Sequence, residues 1–498
     1  MCTVINVDVI IAVHNAQETI EETVKSAMHQ EIPANLRASL SNVKFDVAVC
    51  CYNDASTDKS IEMLYALKEE YANNATLHHV GSKQIMKTTL LVGTAAEGTS
   101  SRGAGYARNQ AVKLRDMNTS DTNDNTDAKC FHFLCVLDSD DIMHPTRIAE
   151  QSSAMMSLGY GEHGRHLSEN ALMGCQFDRI PNDSTWHYAT WANSLSDERV
   201  VLEQFRECTL LQPTWFISKS RLKSLGGWLE APTSCEEIDN LKSAVSSTCH
   251  YRLVHSSELR QTSPVAIPTT LRFAEDTRLF YAHIRAAGTL HLHRTSAPLV
   301  SYRHRVGMSQ SSGTPRKLLM QLRAKAWEDI VFYGKDGNAS VWSTRGFAIW
   351  GAGRDGKEFL KALSPEVASR VVCFVDVDSN KIDKIKFYDN PALGLRVPIL
   401  HFPLLAKNPD MDNVVFGRVS KEKKGGDAFH NVGQNGKCKE PKRKKQKIQS
   451  MLDETIDRTV LRELPVVICV AMYRTNGALE SNVASIGRIE GEDLWHIS

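Results

Sequence analysis

The chain has 498 residues, with 59 Lys plus Arg against 58 Asp plus Glu, and 42% of it is hydrophobic. That length holds about two to four domains, and the composition excludes global disorder, a collagen repeat and a small disulfide scaffold. The formal charge of +1 excludes a uniformly basic nucleic-acid coat but leaves room for a local basic patch.

The first residues, Met1 to Asp8, carry no basic leader, and Val9 to Val13 is only a strand's length of apolar chain, so no secretory signal is expected. No run approaches the ~18 apolar residues of a membrane span. The twelve cysteines, Cys50-Cys51, Cys130 and Cys135 among them, lack zinc or redox spacing. They read as buried thiols of a reducing compartment, and a cytoplasmic protein is expected.

Val7 to Val13 predicts a buried parallel strand, broken at His14-Asn15-Ala16. Gln17 to Gln30 carries Ile20, Val24, Ala27 and Met28 on one helical stripe. A second strand, Phe45 to Cys50, runs into the polar turn Tyr52 to Asp58, and Lys59 to Glu70 predicts another helix. Strand-helix-strand-helix order implies an α/β fold. In such folds ligands bind beyond the carboxyl ends of strands, where Asp54 and Asp58 fall. Asp58 reads as a helix cap, while Asp54 is open between capping and binding. Arg102 to Gln110 opens a further helix, with Gly103 and Gly105 permitting close backbone approach.

The apolar strand Phe133 to Leu137 ends in Asp138-Ser139-Asp140-Asp141. Three carboxylates crowded at a strand end suit a hard divalent cation bridging to a diphosphate. The alternative is a solvated loop with Asp141 capping the next helix. Glu275-Asp276 opens an amphipathic helix, where acids complement the helix dipole or supply a general base. Pro298 to His304 is a strand ending in Tyr302-Arg303-His304, with His304 open between metal ligand and loop histidine.

Taken in order, Val9 to Asn15, Asn53 to Asp58, Leu137 to Asp141, Glu275-Asp276 and Tyr302 to His304 resemble the family 2 inverting glycosyltransferases of the GT-A fold. The resemblance implies that Val13, Asn15, Asp54, Arg108, Asn109 and Asp138 surround a UDP-sugar. It implies that Asp140 and His304 hold Mn²⁺ or Mg²⁺, that Asp276 is the catalytic base with Glu275 beside it, and that Trp215 lines the sugar and acceptor site. Arg102 to Ala111, Leu137 to Pro145, Pro213 to Phe216 and the C-terminal part narrow the resemblance to members that glycosylate queuosine in tRNA. The expected donor is then UDP-galactose, and the acceptor is queuosine in cytoplasmic tRNA-Tyr. The rivals are transfer to a protein, lipid or glycan, a degenerate fold serving as an RNA-binding scaffold, and a dinucleotide-dependent oxidoreductase.

The expected fold class is α/β, a GT-A domain over 1–315, a helical linker over 316–346 and a small Rossmann-like domain over 347–498. Trp327 and Trp342 are expected to pack between domains. The second domain rests on Phe347 to Gly356, a strand running into Gly351-Ala352-Gly353-Arg354-Asp355-Gly356, followed by Val371 to Asp376. No dinucleotide cofactor is inferred from it. Insertions are expected at about 230–270 and 421–450. The latter holds nine lysines and Arg443 against three acids and reads as a solvated loop, an RNA-attracting patch or a nuclear-localisation-like signal. Asp121 to Asp127 reads as a surface loop.

Overall fold

The computed structural model describes residues 3–73, 77–80, 83–118, 129–161, 164–230, 274–287, 291–305, 314–334, 340–407, 457–471 and 477–497. The expected insertions at about 230–270 and 421–450, and the Asp121–Asp127 loop, lie outside the described residues. The chain divides into two compact units, Met1–Ala326 and Trp327–Ser498.

Unit 1 begins with β1 (Thr3–Val13), α1 (Ile20–Met28), β2 (Val43–Asn53), α2 (Ser60–Asn73), β3 (Leu77–Val80), β4 (Lys83–Thr94), α3 (Ala104–Asn118) and β5 (Lys129–Asp138). It continues through β6 (Ile142–Met143), α4 (Arg147–Ser157), β7 (Leu172–Ile180), α5 (Trp186–Ser194), α6 (Asp197–Leu202), β8 (Phe216–Ser218), α7 (Lys219–Ser224), α8 (Glu275–Ala287), β9 (Leu292–Arg303) and α9 (Arg316–Trp327). Its sheet has nine strands in the order β3-β4-β2-β1-β5-β8-β7-β9-β6. β4, β2, β1 and β5 are parallel. β1 is thus central and packed on both faces, which explains its apolar run. Ile5, Val7, Val9 and Ile11 face one core together with Ile20, Val24 and Met28 of α1. Each such side chain removed from water contributes about 1.5–3 kcal/mol.

Unit 2 contains α10 (Val341–Arg345), β10 (Phe347–Trp350), α11 (Arg354–Ala362), α12 (Pro365–Ala368), β11 (Val371–Asp376), β12 (Phe387–Asn390), β13 (Leu395–His401), α13 (Arg458–Glu463), β14 (Val466–Ile468), α14 (Ala478–Ser485) and β15 (Leu494–His496). Its six strands run β12-β13-β11-β10-β14-β15. All neighbours from β13 to β15 are parallel. Trp327 and Trp342 meet edge to face at 5.2 Å and surround Phe347.

These topologies correct the expected fold class. Counted in chain order, the parallel strands run 3-2-1-4 in unit 1 and 3-2-1-4-5 in unit 2, the doubly wound order of nucleotide-binding sheets. Both units are thus Rossmann-like α/β folds rather than the expected GT-A domain with a small appendage. That expectation came from motifs at strand ends, which carry no information on strand order.

In unit 2 the glycine-rich turn is closed by the chain itself. Gly351 has φ 107°, and a Cβ on it would lie 2.6 Å from Val470. A Cβ on Gly356 would lie 2.0 Å from the Gly351 carbonyl oxygen, so this glycine serves close helix-strand packing. Asp376 accepts hydrogen bonds from Ala352 N–H and Lys381 Nζ at 2.9 and 2.8 Å and from the amides of Val377 and Asp378. Burial works against its charge, but these partners hold its carboxyl below the usual range.

Candidate functional site

Three loops follow the carboxyl ends of β1, β2 and β5. The first two are stitched together. Val13 O accepts from Asp54 N–H at 2.8 Å, and Asn15 Oδ1 accepts from Thr57 N–H at 2.8 Å. The His14 ring bonds the Asp54 carbonyl at 2.8 Å. Asn15 and Ala55 both have positive φ, 50° and 53°, a strain that non-glycine residues keep only where their surroundings hold them. Asp58 accepts from Ser60 N–H at 3.0 Å and so caps α2.

The Asp54 carboxylate is 1% exposed as a residue and accepts from Ser101 Oγ and the amides of Arg102 and Gly103 at 2.7–3.1 Å. It anchors the loop before α3 rather than facing open space. Val13, with its buried side chain, and Asn15 are likewise spent on their neighbours. Gly105 permits close approach, but to this chain: a Cβ there would lie 2.3 Å from Leu229 O. Asn109 is also occupied. Its Oδ1 accepts from Trp228 N–H, and its Nδ2 donates to Trp228 O and Glu230, all within 3.0 Å. Asn109 therefore braces the 228–230 strand of chain, which corrects its expected place against a donor.

Arg108 is the link across the site. Its guanidinium donates to Asp138 at 2.7 Å and to Glu275 at 2.9 Å. Burial opposes its charge, and the two carboxylates hold it firmly protonated. The β5 turn is thereby tied to the start of α8. Its other side is pinned by Arg303 of the Tyr302 to His304 motif and by Thr19, Thr23 and Arg305, which the sequence did not single out. Thr19 and Thr23 hydroxyls donate to Ser139 O at 3.0 Å. Arg303 donates its amide to Asp141 and its Nε to Asp140 O, both at 2.8 Å. Arg305 Nε stands 3.6 Å from Asp140 Oδ2.

The turn is acidic and only partly compensated. Burial, then the Asp138 charge, pushes Asp140 up to about 6. Burial, then Asp138 and Asp140, raises Asp141 well above the usual range. Asp141 is fully buried, bonds Arg303 rather than capping a helix, and leaves Oδ2 without a hydrogen-bond partner. An orphaned carboxylate oxygen beside two half-exposed carboxylates fits a divalent cation. Asp138 and Asp140 would hold it, with remaining positions left for ligand oxygens. No group of three His, Cys, Asp or Glu side chains is arranged for a metal among the described residues. His304, whose amide bonds Ile180 O at 2.8 Å, is not gathered into one, a departure from its expected role.

Asp276 stands at the head of α8 after Ala274, whose φ is 47°. Its Oδ1 accepts from Thr277 N–H at 2.6 Å. Burial, then the neighbouring Glu275 charge, pushes its carboxyl up to about 6. A carboxyl so poised serves proton transfer near neutrality. Trp215 is elsewhere: it is 1% exposed, donates its indole N–H to Leu210 O and stacks on Phe280 at 6.4 Å. It is a core residue, and the expectation that it lines an acceptor site is corrected.

No family model matches the chain. Among solved structures it is similar to S. aureus TarS 1–349 in complex with UDP-GlcNAc, at TM-score 0.37 and 15% identity, over 75% of this chain and 84% of that one. It is similar to the mannosyltransferase PcManGT of Pyrobaculum calidifontis with GDP-Man and Mn²⁺, at 0.32 and 13%, over 65% and 62%. It is also similar to glucosyl-3-phosphoglycerate synthase of Mycobacterium tuberculosis with Mn²⁺, UDP-glucose and phosphoglyceric acid, at 0.31 and 13%, over 65% and 80%. Among the described residues no helix is long and apolar enough to cross a membrane.

Proposed function

We propose that the chain transfers a sugar from a nucleotide sugar to an acceptor hydroxyl, with inversion at the anomeric carbon. The observation that carries this reading is the acidic β5 turn, tied through Arg108 to Glu275 and Asp276. One end suits a nucleoside diphosphate and its counter-ion, and the other supplies a base. Mn²⁺ or Mg²⁺ at Asp138 and Asp140 would offset charge on the departing diphosphate. Asp276 would accept the proton of the attacking hydroxyl, and Arg108 would fix the separation of the two ends. The inversion follows from direct displacement by one base.

The specific form of the proposal is galactose transfer from UDP-galactose to queuosine in the anticodon of tRNA-Tyr. It is supported by the sequence resemblance. The test incubates the protein with queuosine-containing tRNA, Mn²⁺ and a panel of sugar nucleotides, then weighs the digested nucleosides. A hexose gained with UDP-galactose alone supports the specific form. A sugar transferred to other hydroxyl acceptors supports only the general one. No transfer from any donor, with folded protein, overturns both.

A further inference from the structure

An aromatic face for a sugar-like ring is absent at Trp215 but present at another place in unit 1. A cavity of about 550 Å³ lies between β7 and α5, within the roughly 300–1,000 Å³ of small-molecule sites. Trp186 stands on its wall with 55% of its surface exposed, its ring stacked on His187 at 3.5 Å. Its indole stands in water on the cavity side, while the remainder of α5 packs Tyr188 and Trp191 against Phe177 and its neighbours.

Beside Phe177, Ile180 and Ala189 the wall is polar. Asp178, Asn182, Thr190 and Ser301 line it, and among the described residues their side chains have no hydrogen-bond partner. Together they offer one carboxylate, one amide and two hydroxyls, a mixed set of donors and acceptors matched to neighbouring hydroxyl groups. The wall is also held in shape. Arg179, 7% exposed, lies over the Tyr302 ring at 4.4 Å and donates to the Thr185 hydroxyl. Thr185, the residue before Trp186, keeps a positive φ of 43°. The strain is maintained at the position that sets Trp186 on the rim.

The cavity adjoins the acidic turn through one strand. Ser301 and Arg303 are two residues apart on β9, and Arg303 holds both Asp140 and Asp141. We propose that this cavity is the acceptor subsite, taking an uncharged polyhydroxylated ring whose flat face stacks on Trp186 while its hydroxyls bond Asp178, Asn182, Thr190 and Ser301. The inference rests on the glycosyl-transfer reading for the word acceptor, but binding itself needs neither donor nor cation.

The experiment uses saturation-transfer NMR on the full chain, without nucleotide or metal. The probes are methyl β-D-galactoside, methyl β-D-glucoside, myo-inositol and queuosine nucleoside at millimolar concentration. Ring-proton signal is expected from at least one probe, and it should fall at least tenfold in Trp186→Ala and in Asp178→Asn. Both side chains are exposed, so neither change removes core packing. UDP affinity, measured by calorimetry with Mn²⁺, should stay within twofold of the unaltered protein. Absence of signal from all four probes overturns the subsite, as does signal undiminished in both variants. Failure of both UDP and GDP to bind would instead sink the glycosyl-transfer reading and leave the polyol measurement standing.

Discussion

Arg108 carries opposite duties on its two sides, and the consequences can be measured one residue at a time. Replacing it by Lys keeps the charge but loses the fork that reaches both Asp138 and Glu275. Loss of one charged hydrogen bond costs about 1.5–3 kcal/mol. Arg108→Lys is therefore expected to lower kcat/KM by about tenfold to a hundredfold in a transfer assay. Asp276→Asn should lower kcat by about 10²–10⁴ while UDP still binds, as calorimetry would show; lost UDP binding would place Asp276 on the donor side instead. Asp276 must be ionised to accept a proton, and its carboxyl is raised to about 6. Activity should therefore be full above that value and fall about tenfold per pH unit below it, which a pH-rate profile checks. The acids were legible at this scale because an apolar strand running into Asp138-Ser139-Asp140 is a local pattern. The fate of the aromatics was not. Trp215 follows Pro213-Thr214 in a stretch that looks like a loop, yet tertiary packing buries it on Phe280, and the exposed indole is Trp186, which no sequence period marks.

Between elements, the less visible feature is a charge cluster in the middle of the sheet. Asp8, fully buried in β1, bonds Arg115 of α3 at 2.5 Å and His132 of β5 at 2.8 Å, with Lys219 of α7 at 3.4 Å. Arg115 also donates to the carbonyls of Val7 and Asp46. This network ties two helices to three strands. Burial works against the Asp8 charge, but His132, Arg115 and Lys219 lower its carboxyl below the ordinary value. A lowered carboxylate stabilises the fold above its unfolded value of about 3.9, and that stability disappears as pH falls through the still lower folded value. Asp8→Ala strands buried cations and is expected to cost about 3–5 kcal/mol, read as a shift in the urea midpoint of unit 1. In the sequence Asp8 lies inside the apolar run Val7 to Val13, with nothing nearby to mark it as paired. Its partners are separated from it by 107, 124 and 211 positions, and a short-range period cannot join them.

At the scale of the molecule, each unit carries its own sheet and its own apolar core. Unit 2 places Trp350, Phe402, Leu464 and Ile486 in one cluster. Residues 327–498 expressed alone are therefore expected to unfold in a single cooperative urea transition followed by circular dichroism; a featureless, non-cooperative melt would show that this unit lacks autonomous stability. Two sheets were legible early, since strand-helix alternation and the turn at Gly351 to Gly356 both leave marks in the chain. Strand order was not, because it depends on which apolar runs become neighbours, and that is where the expected fold class gave way.

The last of those strands has a practical side. β15 pairs with β14 in parallel, and Ile497 beyond it is wholly buried, its amide bonded to Ile468 O at 2.9 Å. The edge strand is thus held by a core side chain as well as by its ladder of backbone bonds. A probe attached at position 497 would disturb both at once, and a label is better carried on an exposed loop.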